Sequence, residues 1–377
     1  MPDRKVSARA SEDGLRILAL VTDAHGGFGG ISQCNRDVLA ALCSFETVSE
    51  VHVLTRVPPE SVPADVHPKL KYSHDGAGVP AKYTLRSLMY GLRMGKIDLV
   101  YCAHINLIPV AAAIAQLKRA PLVLSVYGMD VWKPSGRLPQ SVLKRVVSSI
   151  VSISEITLDR FREWCDFPKE RTFLVPNAIV LSEYGAGPKS EALLARHGLH
   201  GKTVLMSLGR MDAKARFKGF DRMIDLLPSL IQEMPDVVYL MVGDGTERPL
   251  LEQQVAELGL EKHVVFAGRV SDNEKADYYR LADAFVMLSV GDGFGFVVIE
   301  ALACGVPVVV SSKDGTREAA RNGELGVVVD PFDQAEVRRG IHAALATPRG
   351  VPAGLQYFTH DRFADRLKQA LSSVCRI

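Results

Sequence analysis

The sequence predicts an α/β protein of two doubly wound, Rossmann-like domains facing a cleft. Two observations carry that expectation. Short, β-branched, nearly continuous apolar runs alternate with amphipathic segments along the whole chain, which is the pattern of parallel strands covered on both faces. The runs also fall into two series separated by a polar, Gly-containing stretch at 182–202, each series about the size of one doubly wound unit. A length of 377 residues is enough for roughly two to three domains.

In the first series, residues 15–21, 51–54, 99–101, 122–126, 150–153 and 172–175 read as buried strands. In the second, 203–208, 237–242, 264–266, 284–288, 307–310 and 326–329 repeat the theme. The first domain is therefore assigned to residues 1–182 and the second to 183–357. Residues 358–374 carry Phe363, Leu367 and Leu371 at helical spacing after the second sheet has ended. The tail 358–377 is accordingly expected to cross back and pack on the first domain.

Composition narrows the class. With 47% hydrophobic and 23% charged residues, the chain has the make-up of a soluble globular protein. Its longest nearly uncharged apolar run, 107–117, is far short of a membrane span. The first ten residues are polar and lack a hydrophobic signal core. Six cysteines are scattered without a C-x-x-C pair, suggesting neither a zinc site nor a disulfide framework. A reduced, cytoplasmic setting is expected.

The net charge of +2 hides an asymmetry. Residues 1–182 hold 22 Lys/Arg against 17 Asp/Glu, and the remainder 23 against 26. Between residues 81 and 150 there are ten basic residues and two acidic ones, Asp98 and Asp130. The block points to an anionic partner, whether phosphate, membrane surface or nucleic acid; solvated helix faces are the plain alternative. A helix expected over 81–96 places Leu85, Leu88, Met89 and Leu92 beside a stripe of Lys82, Arg86 and Arg93. Lys118, Arg119, Lys133, Arg137, Lys144 and Arg145 extend the patch. Either that apolar face is core or it lies on an anionic bilayer.

The most informative segment is 291–311. Asp292 and Glu300 are carboxylates eight residues apart, with Gly293, Phe294 and Gly295 in the turn between them. An apolar helix over 296–303 follows, stopped by Gly305, and Pro307 opens a Val-rich strand. Backbone amides at such a helix start can meet an anion, and Glu300, a turn further in, is placed to accept from a diol. Gly209-Arg210 follows another strand, and Lys218-Gly219 closes the same loop. A guanidinium and an ammonium there suit a diphosphate, with a solvated basic loop of Lys214, Arg216 and Lys218 as the alternative. No Gly-Lys-Ser/Thr is present, which excludes a P-loop.

Three further glycine turns follow strands. At 242–245 the turn is Val-Gly-Asp-Gly, with Arg248 where a dinucleotide fingerprint needs glycine. At 266–270 it is Phe-Ala-Gly-Arg-Val, and at 25–30 His-Gly-Gly-Phe-Gly-Gly, with Ser32 in the third fingerprint position. His104 and Tyr127 lie just beyond strand ends, where residues of these types serve packing as readily as chemistry.

Together these motifs resemble the retaining family-4 glycosyltransferases (Glycosyl transferases group 1). The E-x₇-E signature is present with Asp292 in place of the first Glu, and the G-R…K-G pair sits after the first strand of the second domain. Val242-Gly243-Asp244-Gly245 resembles the family's VGDG turn, and 266–270 its F-x-G-x-V turn. Residues 314–318 resemble a Gly-rich turn followed by Glu, in which Glu318 is expected only to cap the helix there. Residues 152–154 and 175–178 resemble the V-S and P-N-G motifs near the domain junction, the latter with Ala178 replacing Gly.

The resemblance implies a GT-B fold. It implies transfer of a sugar, with retention, from a UDP- or GDP-sugar to an acceptor hydroxyl, without metal or cofactor. Arg210 and Lys218 would neutralise the departing diphosphate, Glu300 would hold the ribose hydroxyls, and Asp292 a hydroxyl of the transferred sugar. Gly29, Gly30, Gly209, Gly243, Val270, Gly293, Phe294 and Gly295 would line the donor. The family commonly has His-Gly-x-Asp where this chain has Tyr127-Gly128-Met129-Asp130, so Asp130 and His104 become the candidates for further sugar contacts. Surface-polysaccharide or glycolipid assembly would follow, with a lipid-linked acceptor at the inner membrane face and no nucleic acid. The alternatives on the same fold are a sugar-nucleotide epimerase and a non-catalytic nucleotide-binding protein. An NAD-dependent oxidoreductase lacks its glycine fingerprint in both halves.

Overall fold

The computed structural model describes residues 14–25, 29–59, 66–134 and 140–377. Residues 26–28 of the first glycine loop, Arg137 of the basic patch and the Lys214 side chain lie outside what is described.

Two all-parallel sheets organise the chain. The first contains β1 (Leu15–Val21), β2 (Val48–Thr55), β3 (Leu70–Ser73), β4 (Leu99–Cys102), β5 (Leu122–Val126), β6 (Ser149–Ser152) and β7 (Thr172–Leu174). Their spatial order is β3-β2-β1-β4-β5-β6-β7. The second contains β8 (Thr203–Leu208), β9 (Val237–Val242), β10 (Val264–Gly268), β11 (Ala284–Met287), β12 (Val308–Ser311) and β13 (Val327–Val329), ordered β10-β9-β8-β11-β12-β13. In each sheet the winding reverses once, between β1 and β4 and between β8 and β11. A crevice opens at those two points, beyond the carboxyl ends of the strands.

Strand alternation explains why the runs are apolar throughout. In β1, Ile17, Ala19 and Val21 join the core beneath helix Gly30–Ser44, while Leu18 and Leu20 join the core beneath helix Ile108–Lys118. The second sheet behaves alike, Val204 and Met206 facing one core and Leu205 the other. Each strand is thus buried on both faces, and its sequence reads as a nearly unbroken apolar run.

Two elements escape that signal. Strand β3, Leu-Lys-Tyr-Ser, is a half-exposed edge strand paired only with β2, so its polar residues face solvent. The stretch expected as a polar break contains a short helix, Glu191–His197, anchored in the second core by Leu193 and Leu194 alone.

The chain passes between domains twice, side by side. Val175 and Ala178 belong to the first core, while Ile179 belongs to the second. The return crossing lies between Phe358, in the second core, and helix His360–Ser372, whose Phe363, Leu367 and Leu371 pack into the first. The Ile179 amide donates to the Phe358 carbonyl at 2.8 Å, tying the two crossings together.

The helix at Pro80–Arg93 divides the expected apolar face: Leu88 is half-buried against a core of the first domain, whereas Leu85 and Leu92 are exposed. The buried face is Tyr83, Ser87 and Gly91, the last lying directly against Ile114. Leu85 (59% exposed) and Leu92 (56%) point outward, beside the exposed Lys82, Arg86 and Arg93.

Beside the return crossing, Asp37 is buried on helix Gly30–Ser44. Its Oδ1 accepts from Gln33 Nε2 at 2.8 Å and lies 3.8 Å from His360 Nε2, whereas Oδ2 has no hydrogen-bond partner among the described residues. Burial raises the Asp37 carboxyl from its usual range to about 7, opposed by Gln33 and Arg36. A carboxyl whose folded pKa lies above its unfolded one costs stability as pH rises through that interval, and the cost is complete above about pH 7. Asp37→Asn keeps the Gln33 contact without the charge. It should raise the melting temperature at pH 8, by about 2–4 °C for each kcal/mol relieved, and by less than half as much at pH 5, where only the lower part of the interval from 3.8 to about 7 has been crossed. A pair of thermal melts at the two pH values checks this.

Candidate active site

The second sheet's reversal between β8 and β11 gathers the motif residues. Gly209 donates to the Val242 carbonyl at 3.0 Å and Gly243 to the Gly268 carbonyl at 2.9 Å, so the loops after β8, β9 and β10 leave the sheet in step. At Gly243 (φ 132°) a Cβ would strike the Gly209 carbonyl, which is why the backbones meet so closely there. Gly209, Gly243 and, just past β10, Val270 therefore share one edge.

A turn at Ala213–Lys218 folds back toward the same edge. It delivers Lys218, whose Nζ lies 2.8 and 3.0 Å from the two carboxylate oxygens of Asp292. Both side chains are largely buried. Arg210 is exposed and its guanidinium has no partner among the described residues. The edge thus carries a buried, self-neutralised pair and an uncompensated cation.

Helix Phe296–Ala303 begins from Gly295 in the left-handed region (φ 91°). Among the described residues, the amides of Gly293, Phe294 and Gly295 find no acceptor, leaving donors at the helix's positive end. Glu300 is buried on the inner side of this helix. Its Oε2 accepts from Tyr279 Oη at 2.6 Å, and Oε1 lies 3.6 Å from Lys275 Nζ. Glu300 is thus anchored through one oxygen and retains acceptor capacity on the other.

Asp314 is a site residue that motif reading passed over. Completely buried, it accepts from Ser289 Oγ, from the Asp292 amide at 2.9 Å, and from the Thr316 amide and hydroxyl at 3.0 and 2.6 Å. Burial and then the charge of Asp292 raise its carboxyl to about 6. Asp314 and Tyr279 lie in segments that resemble the family, but their roles are not legible there, because these depend on which atoms they meet across loops.

Glu318 caps a helix, but not the one expected. Its oxygens accept from the amides of Glu155 and Ile156 at 2.6 and 2.9 Å, the first two residues of helix Glu155–Cys165 in the other domain. The local N-cap residue, Ser154, donates its hydroxyl to Thr157 at 2.8 Å instead, so the helix start is completed from across the cleft. Arg160 Nη2 adds a second tie, to the Lys313 carbonyl at 2.8 Å. A third contact is between backbones: any side chain on Gly293 would collide with the Tyr127 carbonyl.

On the first domain's side, Gly29 has φ 145°, and Gly30 lies against the Phe296 ring. Tyr127 is buried and donates its hydroxyl to Asn35 Oδ1 at 2.8 Å. Asp130 accepts from the Tyr127 amide at 3.1 Å, with further amides of its own turn around the carboxylate; burial raises it to about 7. Its lone pairs are committed to holding the 127–131 turn. His104, just past β4, accepts the Asn106 amide on Nδ1 at 3.1 Å, which leaves its proton on Nε2. Burial and then Arg56 lower its pKa to about 4, so His104 is a neutral donor near the first sheet's reversal.

Comparison with known proteins bears on the family and the fold. Residues 190–353 match the family described as Glycosyl transferases group 1, and residues 28–183 match Glycosyltransferase Family 4. A GDP-mannose-dependent alpha-(1-6)-phosphatidylinositol monomannoside mannosyltransferase of Mycolicibacterium smegmatis is 29% identical over 62% of this chain and 63% of its own length. A D-inositol 3-phosphate glycosyltransferase of Geodermatophilus obscurus is 29% identical over 72% of this chain and 62% of its own. The chain's match thus spans a little under two thirds of these relatives. Among solved structures, Anabaena HepE in complex with UDP superposes with a TM-score of 0.77 over 95% of this chain and 100% of that one, at 22% identity. Sucrose-phosphate synthase of Thermosynechococcus elongatus gives 0.71 over 95% and 98%, at 20% identity. These two likenesses establish the fold, GT-B. With one profile on each domain, the chain belongs to the family-4 glycosyltransferases of glycosyl transferases group 1.

Proposed function

We propose that the protein is a retaining glycosyltransferase that moves a sugar from a UDP- or GDP-sugar to an acceptor hydroxyl, without a metal. The observation that supports this most is the convergence of Arg210, Lys218, three unpartnered amides and Glu300 on one sheet edge. These are the groups a nucleoside diphosphate needs: cations and donors for phosphate, an acceptor for ribose.

The resting Lys218–Asp292 pair suggests the sequence of contacts. A donor diphosphate takes the ammonium, and the released Asp292 carboxylate accepts from a hydroxyl of the transferred sugar. As the bond from the anomeric carbon to phosphate oxygen breaks, negative charge grows where Arg210, Lys218 and the helix-start amides are already fixed. The acceptor oxygen bonds to that carbon on the same face, and its proton passes to a phosphate oxygen of the donor. His104 and Asp130 stand on the acceptor side, His104 as a neutral donor and Asp130 as the clamp of its loop.

The acceptor we favour is lipid-linked, reached from the inner membrane face in glycolipid or surface-polysaccharide assembly. The relative whose name carries phosphatidylinositol supports it. So does the outward face of helix Pro80–Arg93, where Leu85, Leu92 and the nearby Leu117 (62% exposed) are flanked by Lys82, Arg86 and Arg93. No helix among the described residues is long and apolar enough to cross a membrane.

Release of nucleoside diphosphate only when acceptor is added separates transfer from epimerisation and from mere binding. Thermal shifts against UDP-, GDP- and ADP-sugars identify the base, since a ligand at 100 times its Kd stabilises by about 2.7 kcal/mol. In a folded Lys218→Ala protein, kcat should fall on the order of 10²- to 10³-fold, more than donor KM rises. Near-normal turnover would remove Lys218 from the mechanism. Glu300→Ala should weaken UDP and UDP-sugar alike, whereas Asp292→Ala should weaken only the sugar-bearing ligand; equal losses in calorimetry would contradict that division.

Membrane docking has its own measurement. Each basic residue near an anionic surface is worth about 1 kcal/mol. Co-sedimentation with phosphatidylserine vesicles at low salt should therefore be lost at high salt and in the Lys82→Ala/Arg86→Ala/Arg93→Ala protein. Absence of binding at low salt would favour a soluble acceptor.

A further inference from the structure

We propose that Asp314 is a positioning residue of the transfer step: it fixes the Ser289–Asp292 loop so that the Asp292 carboxylate meets both Lys218 and the transferred sugar. The proposal rests on the glycosyltransferase reading of this site and goes beyond it, to a residue that the family's Gly-rich turn does not call for.

The argument is one of donors and acceptors. All four bonds to the Asp314 carboxylate are donated to it, two by amides (Asp292 and Thr316) and two by hydroxyls (Ser289 and Thr316). An ionised carboxylate, acceptor on both oxygens, takes all four as donated, whereas a protonated one must turn one of the hydroxyls into an acceptor. The bonds join two loops, one after β11 and one after β12, and the Asp292 carbonyl returns a bond from the Gly315 amide at 2.9 Å. Asp292 is therefore gripped at both its amide and its carbonyl, and its side chain projects toward Lys218. The short Asp292 side chain has less reach than the Glu of the family signature, so its backbone position matters more.

The carboxyl titrates within reach of ordinary assays, near pH 6. The charged groups around it are Asp292 and, through Asp292, Lys218; Lys313 in the same turn is paired with Asp330 at 2.6 Å. Protonation of Asp314 turns one acceptor into a donor and loosens the grip, so activity should fall as pH drops through about 6. The Ser289 hydroxyl lowers the Asp314 pKa, so removing it should move the fall to higher pH.

The test uses the full chain with UDP, GDP, UDP-glucose and GDP-mannose as binding probes and pH–kcat profiles on whichever donor turns over. In Asp314→Asn, one amide must face the new NH₂ group. Nucleoside diphosphate affinity is expected within about twofold of wild type, sugar-donor affinity several-fold weaker, and kcat at least about tenfold lower with a flattened acid limb. In Ser289→Ala, a gentler change that guards against a folding failure of the first variant, kcat at high pH falls less than in Asp314→Asn and the acid limb shifts upward. Wild-type kcat and profile in Asp314→Asn, or an unmoved limb in Ser289→Ala, overturns the proposal while leaving the donor site intact. If wild-type protein binds none of the four probes, the nucleotide-sugar reading falls and this proposal with it.

Discussion

A parallel sheet buried on both faces can present polar chemistry only at the ends of its strands, and that constraint governs the whole molecule. Between their ends, the strands of both sheets are lined by apolar residues on either side. Groups that must meet charge or water are therefore pushed to the loops, and the crevice where winding reverses admits a ligand between them. In the second sheet that crevice lies between β8 and β11, and it is there that Arg210, Lys218 and Asp292 converge from loops far apart in sequence. The rigid sheet fixes the loop roots; the loops then need only short hydrogen-bonded staples to fix their tips.

The two domains touch where those loops end. Between the domains, Glu318 on two foreign amides, Arg160 on a carbonyl and glycine against a carbonyl lie beside an apolar cluster in which Cys34, Tyr127 and Ile153 of the first domain join Phe294 of the second. Hydrogen bonds involving a charged partner contribute roughly 1.5–3 kcal/mol each, net of the water they replace. The two chain crossings at 178–179 and 358–360 are hydrogen-bonded to one another, and Phe358 packs on Phe294 beside the Gly293 contact. Opening the cleft would free Gly293 from Tyr127 and bare the start of helix Glu155–Cys165, which water can then solvate. Closing would exclude water around a leaving diphosphate, where fixed donors act most strongly.

The sheets were readable because burial on both faces writes a continuous apolar run, and twelve strand positions follow from it. Strand β3 was not readable, since an edge strand with Lys71 and Ser73 needs no such run. The site divides the same way. Glycines and charges at strand ends are visible in sequence because backbone crowding and phosphate chemistry restrict residue type at fixed spacing. What a carboxylate does there is not, since an aspartate that grips amides and one that meets substrate are spelled alike. Asp130 and Asp314 hold turns, whereas Asp292 meets an ammonium. Tyr127 shows the converse: a hydroxyl at a strand end, where chemistry is expected, is bonded to Asn35 within the domain.

The Lys218–Asp292 pair connects these levels. A lysine and an aspartate this far from water need each other when no ligand is bound, because an isolated buried charge is costly. That mutual need keeps both side chains in place and makes the site pre-organised rather than collapsed. A diphosphate brings its own negative charge and can replace Asp292 as the lysine's partner, so the desolvation already incurred by Lys218 is not incurred again on binding. The displaced carboxylate is then the least satisfied acceptor in the crevice, and it lies beside the phosphate, where a sugar hydroxyl arrives. Ligand binding exchanges one ion pair for another and converts the old partner into a recognition element. The grip of Asp314 on the Asp292 backbone is what keeps that freed carboxylate from swinging away when its lysine is taken.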